Sequence, residues 1–266
     1  MSRLRNVMRR CAEEQRAALI IYVTHGDPSP AESADVVIGA AEAGADVIEL
    51  GVPFSDPNAD GVVIQEAMQR ALAAGSGLVP ALETVAEVRR RGCEVPVVLF
   101  GYYNPIFVHG VERFATDACA AGVDAVLTVD LPIDELAELQ GPLAARGLDV
   151  VPLVAPTSTD ARITRVRELD PPFVYYISMT GITGASIAGA SVGPERVAQV
   201  QHLTGAPVAV GFGIKTADDV RRVAAYADGV VVGSAVVRCI AEAGPGRAAA
   251  AVAGLLTELR AGIARR

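Results

Sequence analysis

The sequence predicts an α/β fold: a single (β/α)8 TIM barrel over residues 1–266 with an extra N-terminal helix. Three observations predict it. Short runs rich in Val, Ile and Leu alternate with amphipathic segments from end to end, without a break in composition. Those runs show little strict apolar–polar alternation, the pattern of parallel strands covered on both faces. A weak repeat marks the junctions Ala43-Gly-Ala-Asp-Val47, Ala121-Gly-Val-Asp-Ala125 and Arg146-Gly-Leu-Asp-Val150, where Gly ends a helix and Asp opens the next strand. An open doubly wound sheet is the competing architecture. The strand count and the lack of an early GxGxxG argue against it.

In chain order, Leu4 to Arg16 reads as a helix that plugs the N-terminal end of the barrel. Ala18 to Thr24 is the first strand, followed by a helix from Ala31 to Ala43. Asp46 to Gly51 is the second strand, with a helix from Glu83 to Arg91. Val95 to Gly101 and Val111 to Ala121 form the third strand and its helix, Asp124 to Val129 and Asp134 to Arg146 the fourth pair. Asp149 to Val154 is the fifth strand, before a helix from Asp160 to Leu169. Phe173 to Ser178 and Pro194 to Leu203 follow as the sixth pair, Pro207 to Phe212 and Ala217 to Ala225 as the seventh. Gly229 to Val232 is the eighth strand.

Composition excludes several classes of function. The chain is 51% hydrophobic with a formal net charge of -8. Its basic runs, such as Arg89-Arg90-Arg91, are short and read as solvated helix ends, so nucleic acid is not an expected partner. No apolar run reaches the ~18 residues needed to span a bilayer. Met1 to Gln15 lacks the apolar centre of a secretory signal. Cys11, Cys93, Cys119 and Cys239 lie far apart with no CxxC pair, which points to a reducing compartment rather than to a disulfide framework or a zinc site. The three histidines are equally scattered. The expectation is a cytoplasmic protein with no metal and no membrane partner.

Chemistry is expected around Glu49-Leu-Gly-Val-Pro-Phe-Ser-Asp-Pro-Asn-Ala-Asp60. Glu49 falls near the C-terminal end of a strand and Asp60 on the loop beyond it, where α/β barrels place their sites. Alternation puts Val47, Glu49 and Gly51 on one face and Ile48 and Leu50 on the other, so Glu49 points into the barrel. Apolar surroundings raise its proton affinity, which suits a group that both gives and takes a proton. Asp60, at the base of a loop, is expected to stay ionised. Two carboxylates in different environments divide acid–base and electrostatic roles. Structural readings stand beside this one. Glu49 would close a buried polar network, and Asp60 would cap a helix starting near Val62.

Glycine-rich backbone recurs late in the chain, at Thr180-Gly-Ile-Thr-Gly184, Gly211-Phe-Gly213 and Gly233-Ser234. Loops after the seventh and eighth strands form the usual phosphate site of this barrel, with bare N–H groups and a helix N-terminus facing the anion. Ser234 adds a hydroxyl. Lys215 is the single lysine of the chain and falls in a loop, so it reads as solvent-facing or near the phosphate rather than as a Schiff-base lysine. Tyr22, Phe100, Tyr102, Tyr175 and Phe212 fall on or beside strand ends. They line a pocket for a planar ligand or pack the core.

The segment Glu49 to Gln65 closely resembles the signature of the tryptophan synthase alpha subunit family. So do Tyr102-Tyr-Asn-Pro-Ile106, Asp130-Leu-Pro132, Thr180-Gly-Ile-Thr-Gly-Ala185, Gly211-Phe-Gly-Ile214 and Gly233-Ser234, and the resemblance covers nearly the whole chain. It implies retro-aldol cleavage of indole-3-glycerol phosphate to indole and glyceraldehyde 3-phosphate, a carbon–carbon lyase reaction in L-tryptophan biosynthesis. By resemblance, Glu49 moves protons at indole C3 and at the glycerol hydroxyl. Asp60 accepts the indole N–H and stabilises the cationic intermediate, and Tyr175 positions the reacting groups. Tyr22, Phe100, Leu127 and Phe212 match the indole pocket, and Thr183, Gly184, Gly213, Gly233 and Ser234 the remaining substrate contacts, chiefly to phosphate.

The resemblance further implies a beta subunit in an alpha2beta2 heterotetramer. Pyridoxal phosphate is expected in that partner, with no cofactor in this chain. Pro53, Asp56, Pro57, Asn104 and Pro132 match contact or communication positions. The loops 53–60 and 179–192 match mobile lids. Asn58, Val62 and His25 depart from the commoner pattern, and His25 reads as a surface substitution. Competing readings are a stand-alone lyase independent of a beta subunit, a non-catalytic activating subunit, and a phosphate-sugar epimerase barrel needing metal ligands at strand ends.

Overall fold

The computed structural model describes residues 2–177, 193–211 and 213–263. It begins with α1 (Arg3–Glu13), β1 (Ala18–Thr24), α2 (Ser33–Glu42), β2 (Val47–Gly51), α3 (Val62–Ala73), α4 (Leu78–Arg90) and β3 (Val97–Gly101). Then come α5 (Tyr103–His109), α6 (Val111–Ala121), β4 (Ala125–Thr128), α7 (Ala137–Ala144), β5 (Asp149–Val150), β6 (Leu153–Val154) and α8 (Asp160–Arg165). The last part holds β7 (Val174–Ile177), α9 (Pro194–Thr204), β8 (Val208–Gly211), α10 (Ala217–Ala224), β9 (Gly229–Val232), α11 (Ser234–Ala243) and α12 (Ala248–Arg260).

Every strand pairing is parallel, in the order β5-β4-β3-β2-β1-β9-β8-β7-β6. The two ends of this sheet are consecutive in the chain. β5 and β6 are halves of the expected fifth strand, separated by Val151-Pro152. Pro152 has no N–H to give a ladder, which interrupts the strand. The barrel still closes there, because Val151 N–H donates to Val126 at 2.9 Å and Tyr175 N–H donates to the Pro152 carbonyl at 3.0 Å.

Alternation along the strands sorts side chains into two layers. Ala18, Ile20, Tyr22, Val47, Val98, Phe100, Ala125, Leu127, Phe173, Ala209 and Val231 fill the barrel interior. Leu4, Met8 and Cys11 of α1 join this inner cluster and plug its N-terminal end, as the sequence predicted. Leu19, Ile21, Ile48, Leu50, Leu99 and Val126 point outward against the helices.

The junction aspartates do more than open strands. Asp46 Oδ2 accepts Leu19 N–H at 2.9 Å, Asp124 Oδ2 accepts Val97 N–H at 2.9 Å, and Asp228 Oδ2 accepts Val208 N–H at 2.9 Å. Each carboxylate satisfies a donor of the neighbouring strand at the barrel rim, a group that is costly to leave unpaired. Burial works against a charge on Asp46. The Arg16 guanidinium, Leu19 N–H and Arg260 more than offset it and hold its carboxyl below the ordinary value.

α5, α11 and α12 were not read from the sequence. α5 opens with Tyr-Asn-Pro, residues typical of turns. Pro105 is tolerated there because N–H groups of a first turn lack partners in any case. α12 is rich in alanine and acquires its place by packing on α2 and α11. Among the described residues no single helix is long and apolar enough to cross a membrane.

His25 corrects an expectation. It is not on the surface but 0% exposed, with Nδ1 2.5 Å from Ser76 Oγ and Nε2 2.8 Å from Thr84 Oγ1. Ser76 Oγ also donates to the His25 carbonyl at 3.1 Å. This leaves Nδ1–H as donor to Ser76 and Nε2 as acceptor from Thr84, the network that assigns a neutral tautomer. Burial pushes the imidazole down to about 4 from 6.5. Between these values the unfolded chain binds the extra proton, so stability is complete above pH 6.5 and falls as pH drops toward 4. Over that interval the protein is expected to lose about 3 kcal/mol more than His25→Ala, from the size of the shift. Urea unfolding at pH 7, 5.5 and 4.5 measures this. Parallel pH profiles for the two proteins would show that folding does not depress the His25 pKa.

Candidate active site

β2 carries Glu49 on the interior face, in register with Tyr22 of β1 and Val98 of β3. Its side chain is 0% exposed, and neither carboxylate oxygen has a hydrogen-bond partner among the described residues. Among the described residues no polar network surrounds it. Burial pushes its carboxyl up to about 8. A carboxylic acid so placed is protonated at neutral pH and has no partner among the described residues to compete for its proton.

The loop after β2 leads to Asp60. α3 is capped at Gly61 without a side-chain bond, so Asp60 does not act as the helix cap. Its Oδ2 instead accepts the Tyr102 hydroxyl at 2.7 Å. Burial raises its carboxyl above the ordinary value, and the Tyr102 bond opposes the rise. Gln65 Nε2 donates to the Asp60 carbonyl at 2.8 Å, which ties the loop to α3.

Aromatic side chains build the wall around Glu49. Phe100 stands edge-on to Tyr22, with ring centroids 5.2 Å apart, and 6.3 Å from Tyr175. Leu127 of β4 completes this inner wall. Two strand glycines make room for the phenols. A Cβ on Gly51 would overlap the Tyr22 hydroxyl, and one on Gly211 would overlap the Tyr175 hydroxyl. Burial and the nearby Glu49 and Asp60 push the Tyr175 phenol well above its ordinary value, so it stays a donor.

Beside this wall lies a cavity of about 340 Å³, lined by Gly61 to Ile64, Tyr175, Gly213, Ile214, Lys215, Val231, Gly233, Ser234 and Arg238. Gly233 is the N-cap of α11 and Ser234 its first residue, so the positive end of that helix opens into the cavity. Gly213 adopts a φ of 70°, which favours glycine. The capping box of α10, in which Asp219 Oδ2 accepts both Thr216 N–H and Lys215 N–H at 3.0 Å, fixes this loop. Lys215 and Arg238 form no ion pair among the described residues, and add positive charge to the rim.

The structure thus brings Glu49, Tyr22, Phe100, Leu127 and Tyr175 together, and Tyr175 joins them to Gly213, Gly233 and Ser234. Thr183, Gly184 and Phe212, with the expected lid 179–192, lie outside the described residues. Sequence reasoning read Tyr102 only as a pocket-lining or core aromatic, with no link to Asp60, and did not assign Arg238 to the site. Tyr102 stood in a motif directly after the third strand, and Arg238 lies one helical turn beyond Ser234, so both had a positional signal. Among the described residues no three His, Cys, Asp or Glu side chains cluster as metal ligands, the arrangement an epimerase barrel would need.

The family model for the tryptophan synthase alpha chain matches residues 8–261. The tryptophan synthase alpha chain of Geobacter sulfurreducens is 50% identical over 238 residues, 90% of each chain. That of Burkholderia pseudomallei is 46% identical over 263 residues, 99% of this chain and 97% of its own. The tryptophan synthase subunit alpha of Legionella pneumophila superposes with a TM-score of 0.89 at 35% identity, covering 98% of both chains. A chain of Mycobacterium tuberculosis tryptophan synthase gives a TM-score of 0.89 at 37% identity, covering 100% of this chain and 99% of that one. The chain belongs to the tryptophan synthase alpha chain family.

Proposed function

We propose that this chain cleaves indole-3-glycerol phosphate to indole and glyceraldehyde 3-phosphate, as the alpha subunit of a tryptophan synthase. The observation that carries the reading is Glu49, a buried carboxylic acid with a raised pKa and no hydrogen-bond partner among the described residues, on the inner wall of the barrel. The reaction needs one group that delivers a proton to carbon and then removes one from oxygen. Glu49 gives its proton to indole C3, which breaks the aromaticity of the ring and places positive charge toward nitrogen. Asp60 accepts the ring N–H and meets that charge as it develops. The Glu49 carboxylate then takes the proton of the side-chain hydroxyl next to C3. The carbon–carbon bond breaks, its electron pair returns to the ring, and an aldehyde forms. The proton account closes on Glu49, and no cofactor in this chain is required.

Tyr175, held as a donor over Gly211, positions the reacting hydroxyl. Tyr22, Phe100 and Leu127 pack the indole ring. The phosphate sits at Gly213, Gly233 and Ser234, where the α11 dipole, Lys215 and Arg238 favour an anion. Thr183, Gly184 and Phe212 complete these contacts. The partner is a beta subunit, carrying pyridoxal phosphate, in an alpha2beta2 assembly. Its docking face includes Asn104 of α5, exposed beside the apolar Phe107 and Val108, and Pro132. Tyr103 N–H donates to Asp130 Oδ1 at 2.8 Å, which links these two loops.

An indole-release assay on the purified chain, with and without a beta subunit, tests the reading. Slow release that accelerates on adding the beta subunit is expected. Absence of release under both conditions overturns the proposed reaction. Fast release unchanged by the beta subunit marks a stand-alone lyase instead.

A further inference from the structure

Tyr102 stands at the end of β3, 5% exposed, and touches the loop after β2 at three points. Its hydroxyl donates to Asp60 Oδ2 at 2.7 Å and accepts Ala59 N–H at 3.0 Å. Its ring stacks on Phe54, with centroids 4.8 Å apart and planes 27° apart. One oxygen therefore fixes both the backbone beside Asp60 and one oxygen of its carboxylate. Among the described residues no hydrogen bond engages the other oxygen, Oδ1.

This arrangement constrains Asp60 in a way that matters for its work. A carboxylate on a loop rotates about its side-chain bonds and presents either oxygen. An N–H to Oη to Oδ2 chain removes that freedom and polarises the hydroxyl toward the carboxylate. We propose that Tyr102 is a positioning residue for the cleavage reaction, holding Asp60 by Oδ2 so that Oδ1 is left to accept the substrate's ring N–H. The inference rests on the proposed reaction, in which Asp60 meets the charge on indole nitrogen. The same bond couples the loop to β3 and to α5, the helix that Tyr102 precedes, so movement of that helix reaches Asp60 through a single side chain.

Tyr102→Phe is the direct test, because it keeps the ring, the stacking on Phe54 and the apolar burial and deletes the hydroxyl. Removal of a hydrogen bond to a charged group is expected to lower kcat about 10- to 100-fold, with KM changed by less than about threefold. Other titratable groups lie near: Tyr22 from β1 and Tyr175 from β7 face Asp60, and both also face Glu49 from β2. The pH profile must be separated from theirs. Loss of the Tyr102 bond removes an influence that lowers the Asp60 pKa. The limb governed by Asp60 therefore moves to higher pH, while the limb governed by Glu49 stays in place.

Two further measurements keep the outcome decisive. A carbon-13 titration of the Asp60 carboxyl reads the same shift without any turnover. In a double-mutant cycle, adding Tyr102→Phe to Asp60→Asn is expected to cost no more than about twofold, because the tyrosine acts through the carboxylate. A purely structural Tyr102 would lower the unfolding temperature and leave both the titration and the pH limb unmoved. That result, or full additivity in the cycle, overturns the inference. Lack of indole release by the unmodified chain would instead sink the proposed reaction, and an unshifted Asp60 titration would still be readable in that case.

Discussion

Glu49→Gln is expected to lower the kcat for indole release by about 10³-fold, within the ~10²–10⁴ range of general acid–base catalysis. The amide keeps the size of the side chain and its place on the inner wall, and it neither gives nor takes the proton. KM is expected to change little, because Glu49 acts on bonds that change in the transition state. The same substitution should stabilise the protein. The folded pKa of Glu49 lies at about 8, above its ordinary 4.5. Its contribution to stability is complete below pH 4.5, where both states are protonated, and is lost as pH rises through 8. At pH 7 the penalty is about 3 kcal/mol, from the part of the shift already titrated in the unfolded chain. Glu49→Gln escapes this loss, so its advantage over the parent in urea unfolding grows from pH 4.5 to 8. Near-normal turnover by the variant would remove Glu49 from the proton-transfer role. A stability difference that does not vary with pH would show that the carboxyl is not raised.

Asp60→Asn is expected to lower kcat by about 10²- to 10³-fold, the usual loss when one element of transition-state electrostatics is removed. The replacement is informative because an asparagine oxygen still accepts the ring N–H. What disappears is the negative charge that strengthens the contact as the indole becomes cationic. Ground-state binding should therefore survive, and KM should stay within a few-fold. A loss confined to KM would mean that Asp60 only binds the ring, and an unchanged kcat would exclude charge stabilisation. The comparison with Glu49→Gln separates the two carboxylates. Glu49 is raised by burial, with no partner among the described residues, whereas Asp60 has part of that effect offset by Tyr102. Tyr102→Phe should therefore add little to the Asp60 variant and retain its effect in the Glu49 variant, where the Asp60 carboxylate is still held.

Particular residues show what was legible from the sequence and what was not. The inward direction of Glu49 followed from alternation, a local property of a strand with period two. The eight strand runs followed from their Val, Ile and Leu content, and the N-terminal plug from its position before the first strand. Gly44, Gly122 and Gly147 followed as helix ends, and all three take positive φ. The break in the fifth strand was signalled by Pro152 but not read. Its effect depends on which neighbours the two halves find.

The sequence by itself determined the barrel, the face that Glu49 occupies and the family resemblance, because these reside in short-range periodicity and in contiguous motifs. The tertiary structure alone decided the environments. It paired Tyr102 with Asp60 across 42 positions, enclosed His25 between Ser76 and Thr84, and set Asp46 between Arg16 and Arg260. Burial and hydrogen bonding at such sites are fixed by groups distant in the chain. No local pattern states whether a carboxyl is enclosed by apolar side chains, as Glu49 is, or held by a hydroxyl, as Asp60 is.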